Sequence, residues 1–301
     1  MKKKGWLIYD EAGLKRNIWF VEHLLECAPK YGLEPELKVL PTEGMEYREL
    51  PVQKQQMILQ EFLKDLGAEK QPNDIDGVGS SAYVFAIVRV IAPMLSHALE
   101  QHGIRVFNNG MTAQIANDKY LTYRKALEWE IPVLDTCLAE KELDYPQVIK
   151  ATTGHGGSQV YWVSDAGQKE TVLQELLMKG MNKKEIICQR PCSDPGKDMR
   201  VYVLGGEIYG AVLRSSDKDF RSNFSLGGQI ALAEPTEEQR QVIKRLYDKL
   251  HFDFVGIDFI AHEGAWMLNE IEDVVGTRMV YQLTDKDPVQ DYLRYILAAL
   301  I

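Results

Sequence analysis

The strongest constraint on the fold is a change of rhythm near residue 110. Before it, short apolar runs at residues 6–9 and 37–40 and a glycine-bearing segment at 76–79 alternate with helical periodicities at 18–28 and 56–66. Strand-helix alternation at this spacing predicts an open α/β sheet of the Rossmann-like kind. A helix over 85–101, a strand over 104–107 and a turn at Asn108-Asn109-Gly110 complete this half, with Thr112 as the expected N-cap of a short helix. After it, a helix at 119–130 leads to strands at 146–151 and 159–163 around a glycine-rich turn, a helix at 170–178 and a strand at 186–189. Hairpins are expected over 199–213 and 254–271, separated by a helix opened by Thr236-Glu237-Glu238, and a helix over 289–300 closes the chain. The whole reads as α/β, turning α+β in its C-terminal part.

Composition removes several classes of function. With 35 Lys and Arg against 44 Asp and Glu the net charge is −9, which argues against a broad basic surface for nucleic acid or anionic membrane. No apolar window approaches the roughly 18 residues of a membrane span, and the run at 6–9 after Lys2, Lys3 and Lys4 is too short for a signal segment, so a cytoplasmic protein is expected. Cys27, Cys137, Cys188 and Cys192 lack the spacing of a zinc site and are expected to be reduced thiols.

Two glycine motifs compete. Gly77-Val78-Gly79-Ser80-Ser81-Ala82 fits the dinucleotide fingerprint, but it follows the third strand-like segment, and the next acid, Glu100, falls inside an expected helix. The turn Thr153-Gly154-His155-Gly156-Gly157-Ser158 lies between two strand-like runs, the first ending at Lys150. Glycine backbone N–H groups can approach an anion closely while a lysine counters its charge, although an ordinary flexible hairpin has the same pattern.

The hairpin at 254–271 carries the strongest local chemistry. Asp258 sits in one apolar strand and Glu270 and Glu272 in the next; residues i and i+2 share a strand face, so three carboxylates can converge. Such a cluster is costly unless a cation neutralises it, which points to Mg²⁺ held in part by phosphates, the alternative being a solvated acidic face. Arg200, Arg214 and Arg221 lie on or just after the preceding hairpin, where guanidinium forks suit phosphate or carboxylate.

In this order the motifs resemble the ATP-grasp superfamily, specifically its RimK-like amino-acid ligases, over about residues 76–276. Asn117-Asp118-Lys119 is similar to the family's first nucleotide lysine; Lys150 with Gly156, Gly157 and Ser158 is similar to its second lysine and phosphate-covering flap. Gln189, Arg190, Pro191 and Cys192 fall at the strand that meets adenine through its backbone, Asp198 and Arg200 match an Asp-x-Arg, and Arg221, Ser222 and Asn223 match a nucleotide and substrate loop. Asp258, Glu270 and Glu272 fall at the three metal positions. The third is usually Asn, the following Asn-x-x-Pro-Gly loses its proline at Val275, and the hinge's acid-aromatic pair is Arg190-Pro191.

The resemblance implies an ATP-grasp fold in three segments: a Rossmann-like pre-ATP-grasp domain at 1–110, a central subdomain at 111–190 and a C-terminal subdomain with the metal site at 191–301. It implies ATP and one or two Mg²⁺, or Mn²⁺, as cofactors. The implied reaction is ligation of a carboxylate to an amine through an acylphosphate, one partner being an amino acid such as glutamate. Arg200, Arg221 and Asn223 are implied at the transferring phosphoryl group, and Arg278 is the candidate for orienting a substrate carboxylate. A kinase that forms no amide and a nucleotide-binding module without turnover are the alternatives. Small-molecule partners are expected, with homo-oligomerisation possible and no nucleic-acid or membrane partner.

Overall fold

The central strand of the N-terminal half, β1 (Lys3–Asp10), is buried from Gly5 onward, and burial on both faces is why Trp6-Leu7-Ile8-Tyr9 reads as an unbroken apolar run. A computed structural model describes residues 2–67, 82–154, 159–216, 220 and 228–301 of the chain. Its contacts divide it into two units. The first comprises Met1–Gln114, His251–Phe254 and Val274–Ile301, the second Ile115–Leu250 and Val255–Asp273. Residues 274–301 thus group with the N-terminal half.

In the first unit β1 pairs in parallel with β2 (Leu33–Leu40) and β3 (Tyr83–Val88), and β3 pairs with β4 (Arg105–Phe107), in the order β2-β1-β3-β4. Helices α1 (Glu11–Arg16), α2 (Ile18–Cys27), α3 (Val52–Asp65) and α4 (Pro93–Gln101) intervene, followed by α5 (Gly110–Ala116). Trp6, Ile8, Ile58, Phe62, Leu95 and Val106 belong to one buried cluster.

Two local expectations change here. The helix expected over 85–101 is strand β3 followed by α4: a doubly buried parallel strand and a buried helix look alike in an apolar run, and Pro93 at the first helical turn marks the true start. Helix α1, for which the sequence carried no signal, is capped by the Asp10 carboxylate accepting from Gly13 N at 2.6 Å. Thr112 is not a cap; Asn109 Oδ1 accepts from Thr112 N at 2.8 Å, so the cap lies three residues earlier. The expected strand at 76–79 and the fingerprint at 77–81 lie outside the described residues.

In the second unit, helix α6 (Lys119–Glu128) precedes an antiparallel sheet of β5 (Thr136–Leu138), β6 (Gln147–Ala151), β7 (Val160–Val163) and β8 (Ile186–Gln189), ordered β5-β8-β6-β7, with α7 (Ala166–Met178) between β7 and β8. Its five-stranded sheet contains β9 (Lys197–Leu204), β10 (Glu207–Ser215), β11 (Gln229–Ala233), β12 (Phe254–His262) and β13 (Ala265–Glu272), ordered β11-β10-β9-β12-β13. The edge strand β11 was not expected; Gln229, Ala231 and Leu232 are exposed, so it carries little of the burial pattern that marks a strand. Helix α8 (Glu237–Leu250) buries Val242, Ile243, Leu246 and Leu250, one stripe at helical spacing. The closing helices α9 (Arg278–Leu283) and α10 (Pro288–Ala299) belong to the first unit, where Asp287 caps α10 and accepts from Tyr281 Oη at 2.8 Å.

Candidate nucleotide and metal site

Strand alternation brings the charged residues of the second unit onto one face of the five-stranded sheet. On β9, Asp198 and Arg200 are two apart; on β10, Arg214 stands opposite Asp198. On β12 and β13, Asp258 stands opposite Glu270, and Glu272 opposite Gly256, which brings no side chain to that position. The register shifts between Asp258 and Phe259, leaving Asn269 as the extra residue of β13. Regular alternation would send Asn269 away from Glu270; a bulge re-aims it. Its Oδ1 accepts from Lys150 Nζ at 3.0 Å.

Carboxylate oxygens of Asp258, Glu270 and Glu272 lie within 4.8 Å of one another. Arginines brace them. Arg200 donates to both oxygens of Asp258 at 2.7 Å, and its Nη1 and Nη2 reach Glu272 at 2.6 and 2.7 Å. Arg214 forks onto both oxygens of Asp198 at 2.6 Å and reaches Asp258 Oδ2 at 2.7 Å. Lys119 Nζ stands 3.0 Å from Glu270 and also donates to the Gly154 carbonyl. Four carboxylates therefore face four cations, Lys119, Lys150, Arg200 and Arg214, and the array is formally neutral.

Burial works against every charge in this array, and the neighbours decide which survive. Burial alone would raise Asp258, but Arg200 and Arg214 hold it well below the usual carboxylate range. Burial likewise opposes the ionised Glu270, and Lys119 brings it below its ordinary value. At Glu272 burial wins with help from the Asp258 and Glu270 charges, and its pKa rises despite Arg200. The Lys150 ammonium is brought down to about 8, by burial first and by Lys119 in addition, with Glu270 opposing.

The donor set fits a hard divalent cation: three carboxylates, all oxygen donors, close enough to share one ion and held from behind by guanidinium forks. Beside them lies a slot walled by Tyr123, Val133, Ile187 and Leu268, with Lys150 and Gln189 at its polar end. The Gln189 side chain accepts from Lys150 at 2.7 Å and donates to Thr136 Oγ1 at 3.1 Å, orienting the lysine. Arg190 turns outward to Asp135 at 3.3 Å, Pro191 has no N–H, and Cys192 is half-buried with its thiol pKa pushed up by burial.

The structure thus brings together Lys119, Lys150, Gln189, Asp198, Arg200, Asp258, Glu270 and Glu272. It gives Asp198 to Arg214 and Arg200 to the metal carboxylates. Gly156, Gly157, Ser158, Arg221, Ser222 and Asn223 lie outside the described residues. Arg278 is exposed at the start of α9, in the first unit. The sequence reading passed over Asn269, because alternation alone points it away, and Thr136, which carries no motif.

The fold and this site define an ATP-grasp enzyme, an ATP-dependent ligase forming carbon–nitrogen bonds. Residues 112–296 match the RimK-like ATP-grasp domain, and the chain belongs to that family. It is 26% identical over 230 residues to the glutamate–LysW ligase ArgX of Sulfurisphaera tokodaii, covering 71% of this chain and 82% of that protein. It is 30% identical over 193 residues to human N-acetylaspartylglutamate synthase A, covering 59% of this chain and 48% of that one. In structure it is similar to a RimK domain ATP-grasp protein from Sphaerobacter thermophilus, with a TM-score of 0.64, 17% identity and 98% of each chain covered. It is similar too to the D-alanine–D-alanine ligase of Bacillus anthracis complexed with ATP, with a TM-score of 0.67, 14% identity, and 99% of this chain and 96% of that one covered.

Proposed function

We propose that the chain joins the carboxylate of one small molecule to the amine of another, an acidic amino acid such as glutamate being one partner, with ATP and one or two Mg²⁺ as cofactors. What carries this reading is the carboxylate triad Asp258, Glu270 and Glu272 lying beside two lysines at the polar end of an apolar slot. The named activities of ArgX and of N-acetylaspartylglutamate synthase A support the choice of glutamate. The four-stranded and five-stranded sheets of the second unit take the parts of the central and C-terminal subdomains.

Asp258, Glu270 and Glu272 would hold the cation, which when bound screens the β- and γ-phosphate charge. Lys150, fixed by Gln189 and Asn269, holds the phosphate chain by its ammonium, and Lys119 does so on leaving Glu270. Arg200 keeps Asp258 ionised and holds the carboxyl groups of Asp258 and Glu272 fixed in direction, so the ligand oxygens need no reorganisation when charge shifts during transfer. The substrate carboxylate attacks the γ-phosphorus in line to form an acylphosphate and ADP; the amine then attacks the acyl carbon and expels phosphate, leaving an amide.

The test is ADP release from Mg-ATP across amino acids and small carboxylates supplied singly and in pairs, with Lys150→Ala as control. The expected result is release that needs two partners and a product whose mass is their sum minus water. Release with a single partner whose mass rises by a phosphate, or equal release from Lys150→Ala, would overturn the reading.

A further inference from the structure

Three consecutive residues, Asn117, Asp118 and Lys119, tie the start of α6 to its surroundings in the second unit. Asp118 caps the helix, its Oδ1 accepting from Tyr120 N and Leu121 N at 2.9 Å. The Lys119 N–H donates to Thr152 O at 2.8 Å, just past β6, while its Nζ donates to the Gly154 carbonyl and stands 3.0 Å from Glu270. Asn117 Nδ2 donates to Asp273 Oδ1 at 2.9 Å. Asp273 is buried and directly follows Glu272, the last residue of β13. The segments 117–119 and 270–273 are therefore joined twice, by Asn117 to Asp273 and by Lys119 to Glu270.

The two joints respond differently to ligands. A cation on Glu270 competes with the Lys119 ammonium for the same carboxylate, and a phosphate chain draws the ammonium away. Lys119 then meets its new partner on a flexible four-carbon stem, whose rotamer freedom is worth on the order of 2 kcal/mol, so a main chain already in place decides how much of the contact is realised. Asp273 is not one of the three converging carboxylates, and the Asn117 amide carries no charge. Neither group is drawn off by the cation or by phosphate, so this joint outlasts the other. Lying two residues from Lys119 and one from Glu272, it sets the spacing between the lysine and the carboxylate strand.

We propose that the Asn117–Asp273 hydrogen bond is a latch that positions Lys119 for the phosphate chain, holding its main chain against β13 when the cation takes Glu270. Asn117 acts through Lys119 and touches no ligand itself, and the proposal rests on the nucleotide reading of the site for what Lys119 binds. A bond that served the fold alone would leave nucleotide affinity unchanged in any variant that folds.

The test is calorimetric binding of a non-hydrolysable ATP analogue with Mg²⁺ to the full chain, the fold of each variant being checked by circular dichroism. Asn117 is half-buried, so Asn117→Ala is expected to fold and to bind the analogue about tenfold more weakly, the worth of one hydrogen bond to a charged group. Asp273→Ala is expected to match it, and Asp273→Asn, which keeps an oxygen to accept from Asn117, to stay within about twofold of wild type. In a Lys119→Met background, adding Asn117→Ala is expected to cost nothing further, because the residue it positions is gone. Unchanged affinity in Asn117→Ala, failure of that variant to fold, or the same tenfold loss in the Lys119→Met background would overturn the latch. Wild type failing to bind the analogue with Mg²⁺ would overturn the nucleotide reading and the latch with it, whereas wild type binding no better than Asn117→Ala removes the latch alone.

Discussion

Lys150 is where burial and function pull hardest against each other. Its ammonium has two neutral acceptors, Gln189 and Asn269, and its pKa stands at about 8. The folded value lies below the 10.5 of an exposed lysine, so between about 8 and 10.5 the unfolded chain binds more protons and stability rises with pH. Below about 8 the full cost is present, roughly 3 kcal/mol. Lys150→Met removes the titration, so the stability of wild type relative to this variant should climb as pH passes from 8 to 10.5, by denaturant unfolding of the ligand-free proteins. In the same window kcat/KM for ATP should fall about tenfold per pH unit as the free enzyme loses the ammonium. A flat profile to pH 10 would remove Lys150 from the phosphate site. Glu272 invites a second substitution. Glu272→Gln preserves shape but deletes one anionic ligand and part of the Arg200 brace, so the Mg²⁺ needed for half-maximal turnover should rise about tenfold, with KM for ATP at saturating Mg²⁺ little changed. These charged residues were legible in the sequence because their chemistry is tied to residue type and spacing. The anchoring of Arg200 on Asp258 and Glu272 was not, because residues 200 and 258 are brought together by strand order alone.

At the scale of elements, the site depends on register in β12 and β13. Asp258 faces Glu270, Gly256 faces Glu272, and the extra residue Asn269 lets consecutive residues serve Lys150 and Lys119. Gly256→Val would set a branched side chain about 5 Å across from Glu272 on the cluster face. The strand should tolerate it, valine being a good strand former, while turnover falls at least tenfold; an unfolded variant by circular dichroism, or full activity, would contradict this assignment of the face. Sequence periodicity located this hairpin and its turn but not the bulge, since a one-residue insertion leaves no compositional mark. The same limit explains β3 and α4. The apolar run around Phe85, Ala86, Ile87 and Val88 is compatible with a buried strand or a buried helix, and pairing with β1 on one side and β4 on the other decides for the strand. Helix α1 left no signal for a different reason: Asp10 is both the last residue of β1 and the cap of α1, so no polar spacer separates strand from helix.

At the scale of the molecule, the charge balance of the second unit makes ATP binding conditional on the cation. The array is neutral only because Lys119 and Arg200 already neutralise carboxylates. ATP alone would draw Lys119 from Glu270 and leave its own charge beside an uncompensated cluster. Added with Mg²⁺, each carboxylate it uncovers gains a cation. Melting followed by calorimetry should therefore show little stabilisation by ATP in EDTA. A shift of roughly 5–10 °C is expected with Mg-ATP at a hundred times its Kd, corresponding to about 2.7 kcal/mol acting on one unit of this size. Mg-ATP should protect amides of β6, β9, β12 and β13 from hydrogen exchange. Equal stabilisation by ATP in EDTA and in Mg²⁺ would show that the carboxylates do not share a cation with the nucleotide. The cluster would then be a structural ion-pair network, and Glu272→Gln would lower the melting temperature without changing the Mg²⁺ dependence of turnover.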